Sequence, residues 1–288
     1  MPLVRTAAIV LVTFRYSETS KIVRLATRDL GVQSAIAKGA LRPKSRFGAA
    51  LQGLSEGQAE LLVKEHRELH VLAAFDLTRL RSGLTQDLDR YAAAAALAEV
   101  MLRFAPADPH PESFDLLGDA LDVLETAPGT DVQALGCRML WSLVAVLGFA
   151  PSLEICARDG AAVPAEGPLA FSAREGGALC PACAPRQAVS TLPIDARADL
   201  SALLDPAAPL PMLDERHATA HRRLLSRYIQ YHLADGTDLH ALEFWMRLPL
   251  PATVMPSVRN RYGYFGNGGC FSAGPRYAKI RPPTSTHG

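Results

Sequence analysis

A short stretch near the start of the sequence, residues 37–48, concentrates positive charge. Nine positions carry four cations and no acidic residue: Lys38, Arg42, Lys44 and Arg46. Gly39 and Pro43 interrupt any regular element, so the pattern predicts a loop. Mobile cations on a loop suit the phosphates of a nucleic-acid backbone, whereas the alternative is a solvated basic loop without a ligand.

A second set of side chains has the spacing of a metal site. Cys180 and Cys183 form a Cys-x2-Cys pair, and Cys156 stands three residues before Asp159, with 20 residues between the two pairs. This is the pattern of a zinc ribbon in which Asp159 replaces the fourth cysteine. A carboxylate oxygen can complete a tetrahedral site, so these four residues predict one structural zinc ion. The alternative is a ribbon that has lost its metal and keeps free thiols.

Charge and composition narrow the function classes. The 288 residues carry a net charge of +1, but residues 1–80 carry +5, residues 81–243 carry −10 and residues 244–288 carry +6. Polyanions are therefore expected to prefer the two ends of the chain. The apolar runs are too short for a signal peptide or a membrane span, which predicts a cytoplasmic protein. No phosphate-binding P-loop and no catalytic triad stand out, so we expect no enzymatic activity.

The first 80 residues must position the basic stretch. Strands are predicted over 6–13, 21–27, 32–37, about 60–64 and 70–75, separated by turns every eight to twelve residues. Five short strands in this length are typical of an OB-fold, a small β-barrel. Three aromatic residues near the basic stretch are candidates for base stacking, or alternatively pack in the core or close an end of the barrel: Phe14, Tyr16 and Phe47.

Three segments, in this order, resemble the amino-terminal domain of RecO, the bacterial recombination mediator family. They are AIVL at 8–11, YSETSKIV at 16–23 and AKGALRPKSR at 37–46. The resemblance implies an OB-fold that binds DNA. Phosphates would be held by the four cations of the basic stretch, with Lys21 and Arg24 of the neighbouring strand as second choices.

The rest of the chain is predicted to be mainly helical, giving an α+β protein: an N-terminal OB-fold β-barrel followed by an all-α domain with an inserted zinc-ribbon-like hairpin. Apolar residues at helical spacing predict helices over 84–104, 112–125, 132–147, 214–233 and 238–248. The predicted segments are the barrel, two helical parts flanking the ribbon, and a basic tail without regular structure: 1–80, 81–150, 151–190, 191–249 and 250–288. The tail interleaves arginine with aromatic residues, which suggests an auxiliary nucleic-acid arm.

The family resemblance also implies partners. A RecO protein binds single- and double-stranded DNA, anneals strands coated by single-strand binding protein, and acts with RecR in loading RecA. Arg222, Arg223 and Arg227, beside the apolar side of a predicted helix, are candidates to receive the acidic tail of single-strand binding protein. Two other classes stay open: a zinc-ribbon protein–protein adaptor without DNA activity, and a metal-dependent nucleic-acid enzyme.

Overall fold

A computed structural model describes residues 2–63, 67–186, 189–234 and 236–248 of the chain. The tail predicted at 250–288 lies outside these ranges. In the described ranges, no helix combines the length and the apolar character that crossing a membrane requires.

The amino-terminal part is a closed five-stranded barrel. Its strands are β1 (Leu3–Arg15), β2 (Lys21–Thr27), β3 (Gly31–Ala37), β4 (Glu56–Leu62) and β5 (Leu69–Arg79), joined in the order β1-β2-β3-β5-β4. Neighbours are antiparallel except for β3 and β5, which run parallel. The predicted OB-type barrel is confirmed. Its interior is filled by alternate, fully buried residues, among them Ala8, Val10, Val23, Leu25, Ala59, Leu61 and Leu72.

A β-bulge in β1 between Val10 and Val12 changes which side chains face outwards. Before the bulge, even-numbered residues such as Val10 point into the barrel. After it, Thr13 pairs with the interior residue Val23, so Phe14 points to the outside. An extra residue in one strand has this effect because side chains alternate strictly between the two faces.

Seven helices form the second part of the described chain. They are α1 (Ser82–Gln86), α2 (Leu88–Phe104), α3 (Pro111–Thr126), α4 (Val132–Val146), α5 (Ile194–Leu204), α6 (Glu215–Ile229) and α7 (His240–Arg247). As predicted, α4 is central and buried on most of its faces. Small residues let its neighbours approach, because a Cβ on Gly136 would stand 3.0 Å from the Trp245 ring and 3.2 Å from the Cβ of Ala93. After α6 the chain continues in a wider π-helical turn, Gln230–Ala234, where the sequence predicted an uninterrupted helix.

Between α4 and α5 lies the predicted hairpin insertion. Its strands are β6 (Leu169–Ser172), β7 (Gly177–Leu179) and β8 (Ser190–Leu192), with β6 in the middle. Single β-bridges join Ser152 to Gly177 and Ile155 to Ala162. They place the segment that carries Cys156 and Asp159 against the sheet. The two halves of the cysteine motif therefore meet on one small scaffold.

Arg81 joins the barrel to the helices. It has a left-handed backbone (φ 48°) and a fully buried side chain. Its guanidinium donates to Asp122 Oδ1 of α3 at 2.7 Å, to Glu56 of β4, and to the Leu54 carbonyl at 3.2 Å. Burial lowers the pKa of Arg81, and the bond with Glu56 opposes that shift. The boundaries predicted for the five segments stay a prediction, although β5 does end just before Arg81.

Candidate nucleic-acid interface and metal centre

The basic loop, defined here as residues 38–46, leaves the barrel between β3 and β4 as a series of tight turns. The N–H of Arg42 donates to the Gly39 carbonyl at 3.1 Å, and the N–H of Ser45 donates to the Arg42 carbonyl at 3.0 Å. Gly39 has a φ of +74°, which favours glycine at this first turn. The Leu41 N–H donates to the Thr19 carbonyl at 3.0 Å and ties the loop to the β1–β2 turn.

Phe47 anchors the end of the basic loop. Its ring is 2% exposed and belongs to the core cluster of the barrel, together with Ala40, Ala50 and Leu51. Burial of a phenylalanine side chain contributes about 2–3 kcal/mol, enough to hold this end in place. Phe47 is thus a core residue, the alternative that the sequence left open, and its buried ring is not available to stack on bases.

The four predicted phosphate-binding cations are all exposed: Lys38, Arg42, Lys44 and Arg46. Arg46 also lies over the Phe47 ring, with 5.1 Å between its guanidinium carbon and the ring centroid. Within the described ranges, the salt bridges involve other cations and leave these four without an acidic partner. No described residue of the acidic helical part therefore forms a salt bridge with the loop.

The two second-choice cations lie on opposite faces of β2. Lys21 pairs in register with Arg15 of β1 and Ala37 of β3, at the edge where the basic loop begins, and its Nζ lies 3.5 Å from the Leu51 carbonyl. Arg24, three residues further on, points to the outer face of the barrel. Its Nε is buried and lacks a hydrogen-bond partner among the described residues. The structure therefore brings Lys21, but not Arg24, together with the loop.

Sequence reasoning missed an apolar row on the outer face. Phe14, Ile22 and Ile36 are directly paired across β1, β2 and β3, and Phe14 is 52% exposed. Tyr16, 58% exposed, follows in the β1–β2 turn. The aromatic residues were visible in the sequence, but the bulge that turns Phe14 outwards was not.

The cysteine motif closes into a compact group. One ligand atom from each of Cys156, Asp159, Cys180 and Cys183 lies within 4.8 Å of the other three, and within the described part of the chain this is the one His/Cys/Asp/Glu group that meets this criterion. The Sγ atoms of Cys180 and Cys183 lie 3.5 Å and 3.1 Å from Asp159 Oδ2. Tetrahedral zinc with bonds of about 2.0–2.3 Å separates its ligands by roughly 3.3–3.8 Å. The group could hold a metal ion.

The short contacts within the cysteine group shift the pKa values of its side chains. The Cys156 thiol and the Ala161 N–H, both donating to Asp159, hold the pKa of that carboxyl well below its usual range. The hydrogen bond to Asp159 raises the pKa of Cys183 to about 12. Burial opposes ionisation of Cys156, but the backbone N–H groups around its sulfur outweigh burial and lower its pKa. A divalent cation would displace these thiol protons and take their place between the sulfurs and the carboxylate.

Aromatic residues fasten the hairpin to α6. The Tyr228 hydroxyl donates to the carbonyls of Phe149 and Gly176 at 3.1 Å and 3.4 Å. His232 Nε2 lies 2.7 Å from the Ala173 carbonyl, and the Tyr228 ring packs edge-on against Trp141 at 5.0 Å. These contacts hold the turn of the hairpin against α6 and the turn that follows it.

The predicted basic side of α6 needs one correction. Arg223 and Arg227 are exposed, but Arg222 is 2% exposed and its guanidinium donates to the carbonyls of Trp245 and Leu248, at 2.7 Å and 3.2 Å. It closes the end of α7 and cannot serve as a surface cation. Beside it is a groove of about 430 Å³. The groove is lined by Glu215, Thr219, Arg222, Arg223, Met246, Arg247 and Leu248.

The chain has a closed OB-type barrel with a cationic loop, followed by a helical domain into which the cysteine-bearing hairpin is inserted. This architecture places it in the class of OB-fold proteins with a helical second domain. Comparison with known families is more specific. Residues 1–81 match the family model for the recombination protein O N terminus, and residues 85–240 match that for its C terminus. The chain belongs to the RecO family of DNA repair and recombination proteins.

Individual relatives agree with this assignment. The chain is 35% identical over 257 residues to the DNA repair protein RecO of Anaeromyxobacter sp. strain K, covering 85% of this chain and 96% of the relative. It is 37% identical over 248 residues to that of Nocardioides sp., with 81% and 96% covered. Identity to the protein of Rubrobacter xylanophilus is 33% over 236 residues, with 81% and 92% covered.

Proposed function

We propose that this protein is a non-enzymatic recombination mediator of the cytoplasm and nucleoid that grips DNA through its amino-terminal barrel. The observation that carries the proposal is the basic loop: four exposed cations that have no acidic partner in the described part of the chain, on a loop whose end is anchored by Phe47. Cations in this state can neutralise phosphates without first breaking ion pairs, and they release counterions from the nucleic acid.

The adjoining surface offers contacts to bases. Phe14 and Tyr16 are exposed beside the loop edge, and Ile22 and Ile36 extend the apolar row across the barrel. Unpaired bases can stack on such rings whatever their sequence. In a duplex the bases are already stacked on each other, and mainly the phosphates are accessible. We therefore assign phosphate contacts to Lys38, Arg42, Lys44, Arg46 and Lys21, and base contacts to the outer row. Arg24 lies on the same outer face but outside this row, because it pairs in register with Val12 and Ser34.

Binding of this kind supports annealing without covalent chemistry. Two complementary strands carry like charge, and a protein that neutralises phosphates on both lowers their repulsion. We infer that this protein anneals strands coated by single-strand binding protein and acts with RecR in loading RecA, as the family resemblance implies.

The groove beside α7 is our candidate site for the acidic tail of single-strand binding protein. Met246 and Leu248 supply apolar surface, and Arg223 and Arg247 supply positive charge at its sides. Such a combination suits an acidic peptide with apolar side chains. Arg227 lies exposed on the same helix, outside the residues that line the groove.

We further propose that the ion of the cysteine group is zinc, held by Cys156, Asp159, Cys180 and Cys183. Three thiolates select a borderline-soft cation over magnesium or calcium, and four protein ligands leave no open position for catalysis. Its role is to hold the two arms of the hairpin together. Metal analysis of protein purified without chelator tests this assignment.

The deciding experiment mixes two complementary, labelled oligonucleotides with the purified protein, with and without single-strand binding protein. Accelerated annealing without cleavage supports the mediator. Cleavage in the presence of Zn²⁺ or Mg²⁺ would instead identify a nucleic-acid enzyme. If the protein shows no annealing and no cleavage, the adaptor function remains, in which the basic loop has no ligand.

A further inference from the structure

The Cys-x2-Cys turn of the hairpin holds two cysteines at a separation that a disulfide requires. Cys180 directly follows β7, and the N–H of Cys183 donates to the Cys180 carbonyl at 3.0 Å. A hydrogen bond between the first and the fourth residue closes a β-turn, whose end Cα atoms lie less than about 7 Å apart. Disulfides usually span Cα separations of about 4.4–6.8 Å. The backbone therefore needs little movement to join these two residues.

The two sulfur atoms are also close to each other. The Sγ atoms of Cys180 and Cys183 lie within 4.8 Å of one another, and both cysteines are free thiols in this structure. Side-chain rotation can bring them to the bond length of about 2.0 Å. The fourth member of the cysteine group, Asp159, has no sulfur to oxidise. The group of three thiols can therefore form one internal disulfide, and one thiol is left over.

Exposure sets the order in which these thiols meet an oxidant. Cys183 is partly exposed, whereas Cys180 is 5% exposed and Cys156 is 2% exposed. An oxidant dissolved in water reaches Cys183 first, because oxidation of a cysteine depends on its accessibility. Cys180, buried directly behind Cys183, is then positioned to react with the oxidised sulfur. An accessible cysteine with a resolving cysteine beside it is typical of a redox-sensitive site.

We propose that Cys183 and Cys180 form a modification site, at which a peroxide converts the two thiols into a reversible disulfide. The Cys183 sulfur attacks one peroxide oxygen, the O–O bond breaks, and a sulfenic acid and one water form. The Cys180 sulfur then attacks the sulfenic sulfur, the S–O bond breaks, and the disulfide and a second water form. The two thiol hydrogens leave in the two waters, the sulfurs are oxidised, and the peroxide is reduced. Small thiols reverse the reaction by exchange.

The hairpin can accommodate this reaction without unfolding. The N–H of Ala157 donates to the Ala178 carbonyl at 2.8 Å, and the N–H of Ala178 donates to the Ser152 carbonyl at 2.7 Å. These backbone bonds fasten the segment that carries Cys156 to β7 and involve no sulfur atom. The change is therefore confined to the turn, and Cys156 keeps its thiol because it stays buried.

Oxidation would also release a metal ion from the cysteine group, and this consequence rests on the zinc proposed above. A disulfide removes two of the three thiolates and leaves only Cys156 and Asp159, whereas a structural zinc ion needs four ligands. In the loaded group the sulfurs carry no protons, so the two waters take their two protons from solvent. We expect one ion to be released for each disulfide formed.

Peptide mapping tests which sulfurs react. The full chain is stripped of metal with a chelator and treated with hydrogen peroxide. Its free thiols are blocked, and it is digested with trypsin, which leaves Cys180 and Cys183 together in peptide 175–186 and puts Cys156 in peptide 139–158. We expect peptide 175–186 to carry no blocking group and to lack two hydrogen atoms, and dithiothreitol to restore both thiols. A cross-link between the two peptides, a sulfinic acid on Cys183, or unchanged thiols would each overturn the proposal.

Counting thiols gives a second measurement. In Cys270→Ser, which leaves the four described cysteines, peroxide should lower the number of thiols in the denatured protein from four to two. Adding Cys180→Ser should stop the reaction at a sulfenic acid that dimedone traps, so that only one thiol is lost. The matched control adds Cys137→Ser instead, at a fully buried position on α4, and should still lose two. Equal losses in these two variants would contradict the role of Cys180.

A zinc-sensitive dye separates the disulfide from the metal assignment. Protein purified without chelator should release one Zn²⁺ per disulfide after peroxide treatment, and disulfide formation with the ion retained would refute the proposed release. If the purified protein contains no zinc, the zinc assignment fails. The peptide map of the metal-free protein still decides whether the disulfide forms.

Discussion

Neutralising two cations of the basic loop should change how DNA binding depends on salt. In Arg42→Gln/Lys44→Gln, two exposed side chains that have no acidic partner among the described residues lose their charge. The turns of the loop keep their hydrogen bonds, because Arg42 contributes only backbone groups to them. Each phosphate contact to a single strand adds about 0.7 to the slope of log affinity against log salt. Two lost contacts therefore lower the slope by about 1.4.

This difference is large enough to measure. Between about 50 and 200 mM salt, a slope change of about 1.4 corresponds to roughly a 7-fold difference, so the wild type loses about 7-fold more affinity than the variant. Fluorescence anisotropy of a labelled single strand, titrated at several KCl concentrations, gives both slopes. Charge reversal, Arg42→Glu/Lys44→Glu, should weaken binding further at low salt.

The matched control removes the same amount of charge elsewhere. Arg103 on α2 and Arg174 in the hairpin turn are exposed and outside the salt bridges found among the described residues. Arg103→Gln/Arg174→Gln should keep the wild-type slope. Equal slopes for the wild type and the loop variant would refute the role of the loop, and equal losses in both variants would show that only net charge matters.

Three further predictions concern stability and metal binding. Arg81→Met should lower the free energy of unfolding by about 3 kcal/mol in urea titrations, because Glu56 and Asp122 lose a buried partner; unchanged stability would contradict the junction described above. Asp159→Cys should bind Zn²⁺ more tightly than the wild type in a chelator competition, since a fourth thiolate completes the ribbon, and a weaker site would count against the zinc assignment. Burial lowers the pKa of His221 from 6.5 to about 4, so its neutral form stabilises the fold at neutral pH and this contribution falls as pH drops from about 6.5 to 4. His221→Leu should lack about 2–3 kcal/mol of that acid-dependent loss in urea titrations across this range, and parallel curves for the variant and the wild type would contradict this prediction.

The barrel could be predicted because its signals are local. Short β-rich runs separated by glycine, proline and polar turns mark the strands, and the cations between Gly39 and Phe47 mark a loop whatever the neighbouring structure. The spacing of the cysteines likewise predicts which four residues come together in the cysteine group. In each case the relevant residues lie close together in sequence.

The features that could not be predicted depend on distant parts of the chain. Arg222 looks like one of several surface cations on α6, and only the carbonyl groups at the end of α7 show that it is buried. Phe14 faces outwards because β1 bulges where it passes from β4 to β2, which alternation within β1 does not reveal. Asp199, whose carboxylate lies 3.8 Å from His221, is on α5, so the surroundings of His221 could not be read from α6 alone.

The position of Phe47 has a consequence for the proposed binding of a strand. Because its ring is buried in the barrel core at the end of the cationic segment, the backbone there would be ordered before a strand bound, and the proposed association would lose little conformational entropy. The exposed cations of the basic loop, which precede Phe47, can also be exchanged during evolution without altering the hydrophobic interior of the barrel. Binding strength and folding stability can therefore be tuned separately in this part of the molecule.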